Sequence, residues 1–211
     1  MSKNSRPASG ARSSRERVAE MRKAQKAKDR RARLLIIGAV GAVILLIVGV
    51  VGVTVYRDVS SRPTLEAIKT FKVTGKHTSA RVKYEQSPPV GGDHNAIWLN
   101  CGVYSAVVPN ELAVHALEHG AVWVTYSPDL PADQVRALEK AIPDTYMVLS
   151  PFPGLTSPVV ASAWGAQLAL TGADDPRLKE FISTYRQSPR GPEPGAACTG
   201  GSDGEIPAPT P

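Results

Sequence analysis

The feature that most constrains this chain is an uninterrupted apolar run near its N-terminus. Residues 34–55 form 22 positions without a charged side chain. At a rise of about 1.5 Å per residue, a helix of this length covers roughly 33 Å, enough to cross a hydrocarbon core of about 30 Å. A cleaved secretory signal is the alternative, but its apolar segment is usually about 7–15 residues, and residues 54–57 (TVYR) make a poor cleavage site. The run therefore predicts a retained signal-anchor helix, residues 34–56, in contact with the lipid bilayer.

The charge of the chain is divided unevenly around this run. Residues 1–33 hold twelve Lys/Arg and three Asp/Glu. The remaining residues therefore hold thirteen Lys/Arg (25 − 12) and sixteen Asp/Glu (19 − 3). Nucleic-acid binding by the mildly acidic folded part is therefore disfavoured. Seven Lys/Arg precede the run within residues 19–33, and three follow it within residues 57–71. This bias predicts a cytoplasmic N-terminus and an external C-terminal part of a single-pass protein.

These observations divide the chain into five parts. We predict a basic cytoplasmic tail (1–33), a transmembrane helix (34–56), a linker (57–63), an extracytoplasmic domain (64–198) and a flexible C-terminal tail (199–211). Interspersed helical and strand patterns predict a single small α+β domain behind the transmembrane helix.

The expected secondary structure follows from periodicity and from turn residues. Val82 and Tyr84 alternate with charged residues and predict a strand, and Asn110 is a candidate N-cap for a helix that Gly120 ends. The remaining expected elements are strands at 121–126, 146–149 and 159–164, and helices at 132–142 and 176–185.

Both cysteines fall in the external part. An oxidising compartment would allow Cys101 and Cys198 to form a disulfide. The disulfide would close a loop of about 97 residues, which stabilises the fold by about 4.7 kcal/mol in the chain-entropy model. Two separate thiols remain the alternative, since two cysteines alone do not prove pairing.

Glycines in the apolar run lie close together around the helix. Gly38, Gly41, Gly49 and Gly52 fall within roughly 80° of one another at 100° per residue. Such a face would allow another helix, or a second copy of this one, to approach closely. Alternatively, the glycines are only the residues that membrane helices commonly contain.

The four histidines of the chain lie within a window of 43 residues. His115 and His119 are four apart on the predicted helix, so they lie on one face and can chelate one ion. Imidazole ligands favour copper or zinc. The predicted metal ligands are His94, His115 and His119, with Glu111, Glu118 and His77 as further ligands or as supporting groups. The alternative is a hydrogen-bonded network of His, Glu and Tyr that holds the loop to the helix.

Residues 115–119 also read H-x-x-E-H, the inverted zinc-protease pattern, in which Glu118 would activate a water molecule. A third zinc ligand would have to come from Glu139, Glu180 or Glu193, none of which sits in a matching helical motif. No phosphate-binding glycine loop, G-x-S-x-G elbow or C-x-x-C pair is present. Metal binding without catalysis is therefore the leading interpretation, and a protein-interaction domain at the membrane surface is the competing one.

Several short motifs together resemble one known family, the domain of unknown function 3105. The most specific are P-P-V-G-G-D-H at 88–94 and V-H-A-L-E-H-G at 114–120. The others are at 75–77, 84, 102–104, 108–109, 163–165 and 192–194, so the resemblance covers nearly all of residues 65–198. It implies a bacterial cell-membrane protein with a short tail, one span and an external domain of no settled activity. The family's association with genes for copper handling favours copper over zinc.

Overall fold

A computed structural model describes residues 14–60, 64–65 and 67–205. The chain forms two compact units, Met1–Ser61 and Arg62–Pro211, and each is described by itself. Parts of the predicted basic tail (1–13), of the linker (61–63) and of the C-terminal tail (206–211) lie outside the described residues.

The described part of the first unit is one helix, α1 (Ser14–Ser60), of 47 residues. It includes the whole apolar run, whose side chains are exposed almost throughout. An alanine Cβ built at any of Gly38, Gly41, Gly49 and Gly52 would meet no atom within 4 Å. The helix is long and apolar enough to cross a membrane. By length and composition alone it fits either a membrane span or a signal sequence.

The described part of the second unit is a six-stranded mixed sheet with three helices. The strands are β1 (Lys69–Thr70), β2 (Gly102–Val103), β3 (Val122–Tyr126), β4 (Met147–Pro151), β5 (Val159–Ala163) and β6 (Ala166–Leu170). The helices are α2 (Asn110–Glu118), α3 (Ala132–Ala141) and α4 (Arg177–Tyr185). The strand order is β1-β6-β5-β3-β4-β2, with β4 parallel to both β3 and β2 and the other pairs antiparallel. The predicted α+β class is confirmed.

The sheet is covered on both faces, which explains why β3, β4 and β5 are buried at every position. Because successive side chains of a strand point to opposite faces, β3 divides its residues between two cores. Val122 and Val124 pack with Leu138 of α3 and Phe181 of α4. Trp123, on the other face, packs in the core that contains the apolar residues of α2. The helix α2 is therefore held on the sheet face opposite α3 and α4.

Two local predictions need correction. The strand predicted at Val82 and Tyr84 is wrong, because the Val82 N–H donates to the Glu111 carboxylate (3.0 Å) and not to another strand. Asn110 is the first residue of α2 and not its N-cap, which is Pro109 without a side-chain cap. The predicted stop at Gly120 is confirmed: its φ of 94° is a conformation that glycine adopts without strain.

Candidate metal site

The site is built on α2, a short helix that is buried on all sides. Its apolar side chains pack on the sheet, while Glu111, His115 and Glu118 follow one another at spacings of four and three residues. Side chains at such spacings line one face of a helix. The loop before the helix covers this polar face, because the Asn95 N–H donates to the Glu111 carbonyl and the Leu99 N–H donates to the Leu112 carbonyl.

Close backbone approach in the covering loop brings His77 and His94 together. The His94 N–H donates to the Lys76 carbonyl (3.0 Å), and the Thr78 N–H donates to the His94 carbonyl (2.7 Å). A Cβ added at Gly75 would lie only 2.2 Å from the Gly92 carbonyl oxygen, so only glycine fits there. Gly75 thus permits the segment that contains His77 to cross close to the segment that contains His94.

Four potential ligand atoms converge at this crossing. His77, His94, His115 and Glu118 each offer one atom, and these atoms all lie within 4.8 Å of one another. The Glu118 Oε2 is 2.8 Å from the His94 Nε2 and 3.8 Å from the His77 Nε2. Tetrahedral ligands bound at 2.0–2.1 Å would be roughly 3.3–3.5 Å apart. Small side-chain movements would therefore suffice for the group to hold a metal ion.

The backbone fixes the orientation of each buried histidine ring. The Nδ1 atoms of His94, His115 and His119 lie 2.8, 2.6 and 2.6 Å from the carbonyl oxygens of residues 92, 95 and 197, respectively. A carbonyl oxygen only accepts, so Nδ1 carries a proton in each ring and Nε2 is the nitrogen that could bind an ion. At His94 this Nε2 is hydrogen-bonded to the Glu118 carboxylate (2.8 Å). Metal-binding histidines are commonly oriented by such a bond to a carbonyl group.

Burial keeps His115 in the form that binds metals. The pKa of His115 is lowered to about 4, mainly by burial and also by the neighbouring His119, His94 and His77, against the opposing effect of the hydrogen bond to the Asn95 carbonyl. A pKa in this range leaves the imidazole neutral at pH 7, as a metal ligand must be.

Two of the predicted site residues lie beside the group and not in it. The His119 ring centroid is 4.5 Å from that of His115, but its Nε2 faces the Glu193 carboxylate at 3.7 Å. Glu111 is used elsewhere, since its Oε1 accepts from Val82, and its Oε2 is buried with no hydrogen-bond partner among the described residues.

A C-terminal segment, residues 187–205, holds the far end of α2. The Glu193 and Gly195 N–H groups donate to the carbonyls of Glu118 (3.2 Å) and His119 (3.0 Å). Cys101 and Cys198 are paired as a disulfide, with Cα atoms 5.3 Å apart, and the Cys101 N–H donates to the Cys198 carbonyl. Residues 199–205 of the predicted flexible tail continue along residues 98–100 through hydrogen bonds of Ser202.

Sequence reasoning did not identify the carbonyl tethers or the partner of His119. The pair Gly91-Gly92, separated from His94 only by Asp93, marks the close approach of the loop. Nothing in the sequence points to Ala197 or Glu193 as neighbours of His119, because they are more than 70 positions away. Trp98 lies against His119, with ring centroids 5.2 Å apart.

Comparison with known proteins gives two family matches. The model described as "Protein of unknown function (DUF3105)" matches residues 76–200, more than half of the chain. This match confirms the resemblance found in the motifs. A second model, "Inhibitor of host cell division protein domain", matches residues 11–73, which are less than a third of the chain and consist mainly of the basic segment and α1. No curated protein and no solved structure matches the chain.

Proposed function

We propose that this chain, which belongs to the DUF3105 family of proteins of unknown function, binds one metal ion in a membrane-anchored domain outside the cytoplasm. The ligands are His77, His94, His115 and Glu118. The observation that carries the proposal is the convergence of their four ligand atoms within 4.8 Å, three of them on buried side chains. Two of these histidines also have the Nδ1 tether that leaves Nε2 for an ion.

The donor set favours copper or zinc. Imidazole nitrogen suits both metals, whereas magnesium and calcium require mostly oxygen ligands. Three nitrogens and one carboxylate oxygen match the tetrahedral coordination of zinc. A copper(II) ion would require a flatter arrangement of the same four donors. Direct titration with each metal therefore distinguishes zinc from copper.

The test is a metal titration of the full chain, purified in detergent without a histidine tag. We expect one equivalent of zinc or copper to bind, and His115→Ala to weaken binding more than about 100-fold because it removes a buried ligand. Glu118→Gln, which keeps the size of the side chain, serves as the second variant. Ser79→Ala, an exposed position near His77, is the matched control and should bind as the original chain does.

Circular dichroism of each variant separates a lost ligand from a lost fold. If folded variants at both positions bind as tightly as the original chain, the four residues are a hydrogen-bonded network and the protein-interaction alternative gains. His119→Ala tests the ligand role predicted for that residue from its i,i+4 spacing. Peptide cleavage that requires Glu118 while metal is retained would support the peptidase alternative.

The location outside the cytoplasm rests on two features. The apolar helix follows a strongly basic segment, which favours an N-terminus inside. Cys101 and Cys198 are at disulfide distance in the domain that follows, and disulfides persist in oxidising compartments. Helix–helix association through the four glycines of α1 stays a prediction. A cytoplasmic domain would hold both cysteines as free thiols.

A further inference from the structure

We infer that the ion enters and leaves the site through His77, so that the site exchanges its metal without opening the domain. This inference rests on the proposed function. It starts from a difference in exposure among the four ligands: the side chain of His77 is 53% exposed, against 1% for His94 and 10% for Glu118. His115 is likewise buried.

His77 is also the ligand whose ring is least constrained. Within the described part of the chain, it lacks the Nδ1 bond to a backbone carbonyl that orients each of the other three histidines. Its ring stacks on that of His115, with centroids 4.8 Å apart and an angle of 24° between the planes. Only the backbone of its segment is fixed, by the hydrogen bonds between residues 76–78 and His94. The imidazole can therefore rotate into solvent while the chain stays in place.

This arrangement favours ligand displacement as the route of exchange. An incoming donor atom (imidazole nitrogen, thiolate sulfur or carboxylate oxygen) forms a bond to the ion as the bond to His77 Nε2 breaks. His94, His115 and Glu118 hold the ion throughout. No electron is transferred, and the released imidazole returns to water. The partner is any chelating molecule, small or protein-borne, that can present such a donor at the surface.

The alternative route requires a larger movement. An ion leaving on any other side would have to pass α2 or the covering loop, both fixed by backbone hydrogen bonds, or the C-terminal segment held by the Cys101–Cys198 disulfide. Exchange would then follow the opening of these segments. The two routes give different kinetics, since displacement depends on the concentration of the incoming ligand and on residue 77.

The experiment measures transfer of zinc or copper from the loaded full chain to a chromogenic chelator in a stopped-flow instrument. We expect the rate to rise linearly with chelator concentration. His77→Ala, which leaves water in place of the imidazole, should transfer at least tenfold faster with a loss of affinity below about 100-fold. Free imidazole added to this variant should slow the transfer again. Ser79→Ala is the matched control and should leave the rate unchanged.

Two further arms distinguish the possible failures. If the original chain binds no metal, the proposed function itself is wrong. If it binds metal but His77→Ala transfers at the original rate, only the present inference is wrong. Faster transfer in Cys101→Ser/Cys198→Ser, with no effect of His77→Ala, would establish the opening route instead. Modification by diethylpyrocarbonate should reach His77 first in the metal-free chain and be blocked by bound metal; labelling of His77 unaffected by metal would contradict the inference.

Discussion

At the scale of single residues, the chemistry of the site depends on which ring nitrogen of each histidine faces the other ligands, and a sequence does not contain that information. The sequence predicts His94, His115 and His119 as the ligands of one site, with Glu111, Glu118 and His77 as further ligands or supporting groups. It does not predict which ring nitrogen of each histidine faces inward. That choice is made by the carbonyls of residues 92, 95 and 197, whose positions depend on the folded backbone.

Glu111 gives a prediction at this scale. Its Oε1 accepts from the Val82 N–H at 3.0 Å, while its Oε2 is buried without a partner among the described residues. Glu111→Gln keeps the acceptor and should change the free energy of unfolding by less than about 1 kcal/mol. Glu111→Ala leaves the N–H unpaired and should cost about 1–3 kcal/mol.

Denaturant unfolding followed by tryptophan fluorescence measures this difference, because all three tryptophans lie in the domain after residue 61. If Glu111→Gln were as destabilising as Glu111→Ala, the negative charge itself would be required, and Glu111 would have a role beyond accepting this hydrogen bond.

At the scale of elements, strongly patterned segments were predictable and weakly patterned ones were not. The strands β3 and β5 and the helices α3 and α4 were predicted within two residues of their ends, since apolar periodicity and turn residues mark them. The strand β6 was missed because Gln167 and Ala169 give only a weak polar contrast to the buried Ala166, Leu168 and Leu170. In addition, only Gly165 separates β6 clearly from β5. The two-residue strands β1 and β2 depend on their partners in the sheet and have no pattern of their own.

The start of α4 gives a prediction about pH. The buried Asp175 carboxylate accepts from the Thr171 and Arg177 N–H groups and pairs with the Arg177 guanidinium at 2.6 Å. The Arg177 side chain, more than any other group, holds the pKa of Asp175 well below its usual range. Asp175→Asn should therefore cost roughly 1.5–3 kcal/mol at pH 7, as expected for hydrogen bonds to a charged group.

The sign of the pH effect follows from the depressed pKa. The stabilisation is complete above the pKa of about 3.9 that an unfolded aspartate has, and it decreases as the pH falls below that value. Unfolding measured at pH 7 and near pH 3 should show the gap between Asp175→Asn and the original chain narrowing in acid. The exposed neighbour Asp174 provides the control, because Asp174→Asn should have little effect at either pH. A gap that stayed constant would rule out the ion pair as its origin.

At the scale of the whole molecule, the proposal that the two units have different surroundings rests on charge and on cysteine position. The prediction of an external domain uses only composition and chain order, which the sequence contains, and it stays a prediction. The full course of residues 187–205 over the end of α2 was not predicted, because it is set by contacts between residues about 70–100 positions apart. The disulfide joins those distant parts across a sequence separation of 97.

Thiol labelling of intact bacterial cells tests this assignment. A membrane-permeant maleimide should label neither cysteine before reduction and both after it. Cys101→Ser leaves Cys198 as a single thiol, which a membrane-impermeant maleimide should label in intact cells if the domain is external. Labelling of both cysteines before reduction, together with protection of this single thiol from the impermeant reagent, would place the domain in the cytoplasm.

The carbonyl tethers have a consequence for how this site can change over evolutionary time. A backbone oxygen is supplied by every amino acid, so the hydrogen bond from His119 to residue 197 does not require alanine there. That position is exposed and free to accept other side chains, whereas Gly75 has no room for any. The side chains of residues that contribute only a carbonyl group can therefore change by mutation while the histidine rings keep their orientation. Selection on this site must therefore preserve the backbone conformation around the histidines.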